Sequence, residues 1–291
     1  MFIDQNVVIL PYFSDEEIGR YLRIAQRMAS MPKPDCGVHF LLANSLRIEP
    51  SNELLAAYSN LGPATSFTCP TPVFGYPDGA SAMYWDCMTY VSEKFQNLSG
   101  FCLWLESDMA PVSDQWLDLL SNEWFTGQRP LMMGCHVPDT YKKRIFRKPK
   151  LILNAHINGG ACYAMDFARH LPPNARNGVF DMAVYQHAEK LGRIRQTDLI
   201  SFSTMSRVRR DVMNPNKAVL HGYLQNKDAF IDACLRPVSE RELQLASWHP
   251  LQNQVEHIAR SIRVQFIRRG HQAMLENVFL TQHREHQKKA A

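Results

Sequence analysis

The sequence predicts an α/β protein with a mostly parallel central sheet, helices on both faces and a helical C-terminal extension. Short apolar runs alternate with helix-period segments through the first half of the chain. Those runs ("NVVIL", "VHFLLA", "FCLWL") are apolar throughout and do not alternate, as strands covered on both faces require. The 291 residues, 45% hydrophobic and 21% charged, hold enough apolar material for a sizeable core.

The first strand, "NVVILPYF", is expected to end at Pro11. In "SDEEIGRYLRIAQRMAS", Ser14 is the expected N-cap and Glu17 takes the capping-box position, with Ile18, Leu22, Ala25 and Met28 on one face. A strand "VHFLLANSL", a helix "SNELLAAYSNL", a short strand "ATSFTCP" and a helix over residues 81–95 follow, and "GFCLWLE" closes the series as a fourth strand. Beyond it, "SDQWLDLLSNEWF" reads as a helix capped by Ser113 and "PLMMGCHV" as a strand. "YKKRIFRKPKLILNAHINGGACYAMD" reads as a charged hairpin or loop leading into another strand. "GVFDMAVYQHAEKLG" is a helix ended by Gly192, "TDLISFS" a strand, and "AVLHGYLQNKDAFIDACL" a strand, loop and helix. From Ser239 the pattern turns helical. Val255, Ile258, Ala259, Ile262 and Phe266 mark one face there, with Arg260, Arg263, Arg268 and Arg269 near or opposite it. The expected division is a catalytic domain over 1–238 and an extension over 239–291.

A net charge of +4 is too small to imply a polyanionic partner by itself. The seven cysteines are scattered and form no CxxC pair, which reads as small buried thiols in a reducing compartment. No apolar run is long enough to span a bilayer, and "MFIDQNVVIL" lacks a basic leader. The expectation is a cytoplasmic protein, with peripheral membrane contact left open.

Chemistry is expected at the carboxyl ends of the strands, where α/β sheets bind ligands. There "LESD" sets Glu106 and Asp108 on alternate residues. Their mutual repulsion is offset best by a divalent cation; the alternative is a polar turn in which Asp108 bonds backbone amides before Pro111. "VLHGYLQNKD" puts His221 and Gly222 at another strand end, with Lys227 just beyond. A neutral imidazole completes a metal shell, glycine lets backbone approach a phosphate, and lysine neutralises that phosphate.

This order of motifs over residues 5–235 resembles the nucleotide-sugar-dependent glycosyltransferases of the GT-A fold. The resemblance implies that Asp108, with Glu106 and His221, holds Mn2+ or Mg2+ against the donor diphosphate, and that Gly222 and Lys227 bind that diphosphate. Glu106 departs from the usual first aspartate, so Asp108 is the firmer ligand. A mixed oxygen and imidazole shell suits manganese better than calcium. "HINGGACYAMD" is similar to the strand where Asn158, Gly159 and Gly160 would line the sugar and acceptor pocket; a turn or bulge is the plainer alternative. Asp181 occupies the place of the base that deprotonates the acceptor hydroxyl, or is simply a helix N-terminal charge. Pro11 and Tyr12 stand where the nucleotide base is held, with Tyr12 stacking on it. Asp78 and Ser81 would touch the ribose or diphosphate, or cap their helix. Asp181 argues for inversion and the histidine-lysine segment for retention, so the stereochemistry stays open.

For the acceptor, "YKKRIFRKPK" carries six basic residues in ten and "SRVRRD" three in six. These are a solvated surface, or they hold an anionic acceptor such as a lipid-linked glycan, an acidic polysaccharide or a nucleic acid with a modified base. The C-terminal helices would contact a membrane, pack on the domain or pair two subunits into a homo-oligomer. Two rivals remain. A sugar-1-phosphate nucleotidyltransferase would carry a glycine-rich, arginine-lysine loop after the first strand, which "PYFSDEEIGRYLR" lacks. A nucleic-acid-binding protein with a structural acidic motif would turn over no donor.

Overall fold

The apolar runs fold as strands β1 (Gln5–Tyr12), β2 (Gly37–Asn44), β3 (Ala64–Thr68) and β4 (Phe101–Trp104), with helices α1 (Asp15–Ala29), α2 (Asn52–Ser59) and α3 (Asp78–Lys94) between them. The computed structural model describes residues 5–138, 140–142, 150–153, 155–172, 176, 179–222 and 226–242. β1 lies in parallel between β2 and β4, and β2 in turn pairs in parallel with β3. Val7 to Leu10 have no exposed surface, which is why this strand tolerates no alternation of polar residues. β1 runs one residue past Pro11, against expectation. Its pairing with β4 covers Val7 to Ile9 only, so the missing proline N–H removes no bond from that ladder.

The second half is more divided than its hydropathy suggests. In order come β5 (Met109–Pro111), α4 (Trp116–Phe125), β6 (Met132–Gly134), β7 (His136–Val137), β8 (Thr140–Lys142), β9 (Lys150–Leu153), β10 (His156–Ile157) and β11 (Cys162–Ala164). Then follow α5 (Phe167–His170), α6 (Phe180–Lys190), β12 (Ile194–Gln196), β13 (Ile200–Ser203), α7 (Val208–Val212), β14 (Val219–Gly222) and α8 (Lys227–Leu235). The main sheet has seven strands in the order β12-β6-β11-β4-β1-β2-β3, and β11 is antiparallel to both its neighbours. A three-stranded sheet, β13-β14-β5, is separate from it. "PLMMGCHV" therefore splits between β6 in the main sheet and β7 in a two-stranded ladder with β10. β8 and β9 pair antiparallel as a hairpin, while residues 143–149 of the basic run lie outside the described residues.

Local chemistry sets the helix ends. Ser14 Oγ caps α1 by accepting from Glu17 N–H, and Gly192, at φ +64°, lets the chain leave α6. Ser113 does not cap α4 as expected. It accepts from Gln115 N–H in the turn before that helix. All seven cysteines are free thiols. The chain divides into two compact units, Met1–Pro237 and Val238–Ala291. The expected helical face from Val255 to Phe266, with its arginines, lies outside the described residues. No helix among the described residues is long and apolar enough to cross a membrane.

Candidate active site

The site forms where the chain changes sheets. Leu105 still bonds Ile9 of β1 through its N–H; Glu106, Ser107 and Asp108 then turn, closed by Met109 N–H to Glu106 C=O, and β5 leaves to pair with β14. The antiparallel register puts His221 opposite Met109. The His221 ring, stacked on Phe202 with centroids 4.8 Å apart, thus points Nε2 at both acids. Nε2 lies 3.2 Å from Asp108 Oδ1 and 3.4 Å from Glu106 Oε2. From the start of α8, Lys227 Nζ reaches Asp108 Oδ2 at 2.8 Å. The residues do form a turn, but the Asp108 carboxylate meets imidazole and ammonium in it.

Each charge is set by its neighbours. Burial would raise the Asp108 pKa, yet the His221 imidazole and the Lys227 ammonium hold it well below the usual carboxylate range. Burial would likewise lower His221, but the two carboxylates beside it push it up to about 9.

Three features show that these residues fit a divalent cation. One ligand atom from each of Glu106, Asp108 and His221 lies within 4.8 Å of the others. Asp108 Oδ1 is buried and faces His221 Nε2 at 3.2 Å without a well-aligned hydrogen bond, an acceptor that a cation would satisfy. The donor set of two carboxylates and an imidazole suits a divalent cation.

A second cluster faces the first. Asp181 opens α6 and approaches His156 of β10, with Oδ2 and Nε2 3.7 Å apart. Burial raises the Asp181 pKa, and the Glu106 charge adds to the rise while His156 opposes it. Between the clusters run Gly159 and Gly160. A Cβ on Gly159 would lie 2.5 Å from Phe180 Cζ and 3.0 Å from Glu106 Oε1. Asn158 fixes this turn by accepting from Gly160 N–H at 3.1 Å. Phe180 stacks on Tyr84 with centroids 4.2 Å apart, and its N–H donates to Ser81 Oγ. Glu106, Asp108, His221, Gly222, Lys227, Asp181 and the glycine pair therefore meet at one edge of the sheet.

Other expected residues do not meet there as open groups. Tyr12 is fully buried, and its hydroxyl accepts from Ser51 N–H, so its ring has no face to offer a nucleotide base. The neighbouring Phe13 is exposed instead. The Pro11 carbonyl accepts from the buried Tyr21 hydroxyl. Ser81 is buried under α6, whereas Asp78 begins α3 in solvent. In "SRVRRD", Arg209 donates to the Ala233, Arg236 and Pro237 carbonyls, which ties it to the end of α8.

Sequence reading missed two residues. His156 carried no signal beyond being a histidine next to the glycine pair. Glu17 was read as half of a capping box, but its Oε2 accepts from Phe13 N–H, one residue earlier than that motif requires. Its Oε1 accepts from Ser107 Oγ at 3.3 Å. A strut therefore joins α1 to the acidic turn, and only the fold brings residues 17 and 107 together.

No protein-family model and no curated protein matches the chain. Among solved structures it is similar to the bifunctional glycosyltransferase WbbM in its apo form, with a TM-score of 0.51 and 10% identity over 85% of this chain and 52% of that one. It is also similar to the galactosyltransferase LgtC in complex with donor and acceptor sugar analogs (TM-score 0.46, 12% identity, 81% of this chain and 98% of that one). A third similar structure is 4-diphosphocytidyl-2C-methyl-D-erythritol synthase (TM-score 0.48, 11% identity, 81% and 99%). At such identities the likeness is one of backbone architecture. The chain has a GT-A-like fold.

Proposed function

We propose that this protein transfers a sugar from a nucleoside diphosphate donor to a hydroxyl acceptor, with a divalent cation at Glu106, Asp108 and His221. One observation carries the reading. The acids at the sheet switch point converge with an imidazole and an ammonium from β14 and α8, and a raised carboxyl, Asp181, faces them. A cation bound there supplies positive charge against the departing diphosphate. The chain's own residues do the rest. Lys227 neutralises a phosphate oxygen; Gly222 is kept small by Phe230, whose ring would lie 3.0 Å from a Cβ there. Gly159 and Gly160 let the chain pack against Phe180 and Met109 beside the acids, and their turn forms one wall of the sugar pocket. Asp181 takes the acceptor proton, and its burial makes it a stronger base than an ordinary aspartate. Phe13 replaces Tyr12 as the aromatic beside the nucleotide base.

The acceptor is a hydroxyl on an anionic molecule, a lipid-linked glycan or a nucleic acid, met by the basic run from Lys142 to Lys150. Manganese is the favoured cation, and the free thiols fit a cytoplasmic location. A nucleotidyltransferase is disfavoured because only Phe13 and Ser14 connect β1 to α1, too short for a glycine-rich phosphate loop.

The test is incubation with a panel of nucleotide sugars and Mn2+, reading nucleoside diphosphate release and thermal stabilisation. One donor is expected to turn over in the wild type and fail with Asp108→Ala. Full turnover by Asp108→Ala removes the cation assignment. No turnover of any donor, together with steeply salt-dependent nucleic-acid binding, favours the binding-protein reading.

A further inference from the structure

The Lys227 ammonium already holds one side of the cation site. Its Nζ is 2.8 Å from Asp108 Oδ2, on the carboxylate whose other oxygen, the buried Oδ1, faces His221 Nε2. The Asp108 side chain is 9% exposed, so solvent does little to screen what sits on it, while Lys227 is 48% exposed and has space to swing away. One buried carboxylate thus holds an ammonium on one oxygen and faces an imidazole with the other.

We propose that Lys227 is an internal counter-cation that keeps the free metal weakly bound until a diphosphate draws the lysine off Asp108. Metal and donor then bind as a coupled pair. This rests on the sugar-transfer reading and deepens it. Without donor, a divalent cation on Oδ1 faces the ammonium across a single carboxylate and is repelled by it. A diphosphate offers Lys227 a better anion, and the site is then left to the metal. Lysine suits such a move, being a point charge on a flexible stem.

The helix that carries Lys227 is tied to α1. Arg20 and Arg23 of α1 hold Asp228 at 3.2 and 2.5 Å, and Arg23 also reaches Asp232 at 3.3 Å. Asn226, in the left-handed region at φ 50°, caps α8 by accepting from Ala229 N–H. Because coupling between two ligands is reciprocal, the factor by which diphosphate tightens metal binding is the factor by which metal tightens donor binding.

The experiment uses the full chain at fixed pH. Mn2+ alone is titrated into wild type, Lys227→Met, Lys227→Arg and Asp108→Asn, with free Mn2+ read by electron paramagnetic resonance and folding checked by circular dichroism. Lys227→Met is expected to bind Mn2+ about tenfold more tightly than wild type, with Lys227→Arg like wild type. Thermal shifts are then measured with ADP, CDP, GDP or UDP, with and without Mn2+. The synergy of Mn2+ with the diphosphate that stabilises wild type should shrink in Lys227→Met. Equal Mn2+ affinity in wild type and Lys227→Met, or undiminished synergy in the variant, overturns the proposal and leaves the cation site standing. Asp108→Asn binding Mn2+ as wild type does removes the site itself, and the proposal with it.

Discussion

Replacing Gly160 by alanine tests whether the wall behind the cation site is as tightly packed as the structure shows. Gly160 is not among the positive-φ glycines, so its backbone accepts alanine and only the added volume matters. A Cβ there would lie 2.8 Å from Met109 Cε, closer still to its Sδ, and 3.4 Å from His221 Nδ1. Carbon contacts are comfortable near 3.5–4.0 Å, so Met109 must retreat by about 1 Å. Met109 is fully buried, and its Sδ accepts from Glu106 N–H at 3.3 Å, so the retreat disturbs the acidic turn. Overpacking of this kind costs about 1–3 kcal/mol. In a unit of this size that lowers the thermal midpoint by about 3–10 °C. Displacing a group that supports a ligand should weaken Mn2+ binding by about 10–100-fold. Gly19→Ala is the control. It lies inside α1 with nothing within 4 Å of its Cβ, and should stabilise by about 0.5–1 kcal/mol. Differential scanning calorimetry and Mn2+ titration read both variants. An unchanged midpoint and unchanged Mn2+ affinity in Gly160→Ala would refute the packing argument, because Met109 would then be free to turn aside.

Three further outcomes are expected. In the metal-free protein the raised His221 imidazole contributes stability that is complete below about pH 6.5 and lost as pH rises through about 9; the thermal midpoint should fall across that window. Metal must displace the same proton, so Mn2+ affinity should rise about tenfold per pH unit towards pH 9; calorimetry in buffers of different ionisation enthalpy counts the proton, and His221→Gln should abolish both effects. Asp181→Asn should cut turnover by about 10²–10⁴-fold with nucleoside diphosphate binding unchanged, while His156→Gln should move the acid limb of the pH–rate profile. Tyr12→Phe should cost about 1 kcal/mol by leaving Ser51 N–H unpaired, without changing KM for the donor, whereas Phe13→Ala should raise that KM.

The carboxyl-edge acids were legible in the sequence because an apolar strand that ends in charge marks its own exit from the core. His221 and Gly222, at the end of β14, and Lys227, at the start of α8, were legible as groups at element ends, but not which way they face. Tyr12 misled. Residue type and position matched a stacking aromatic, but whether a ring at a strand end turns inward depends on what packs over it, here the Ser51 turn. "PLMMGCHV" misled differently: a continuous apolar run does not say that its halves join different sheets.

What the sequence by itself determined is the alternation of buried strands and amphipathic helices, because burial on two faces or one leaves its period in the chain. Which groups meet was decided by the tertiary structure alone. The β5–β14 register sets His221 against the acids, α6 brings Asp181 to His156, and Glu17 reaches Ser107 across 90 residues. Charges and hydrogen bonds act over a few ångströms in space, whatever the separation along the chain, so no local pattern encodes them.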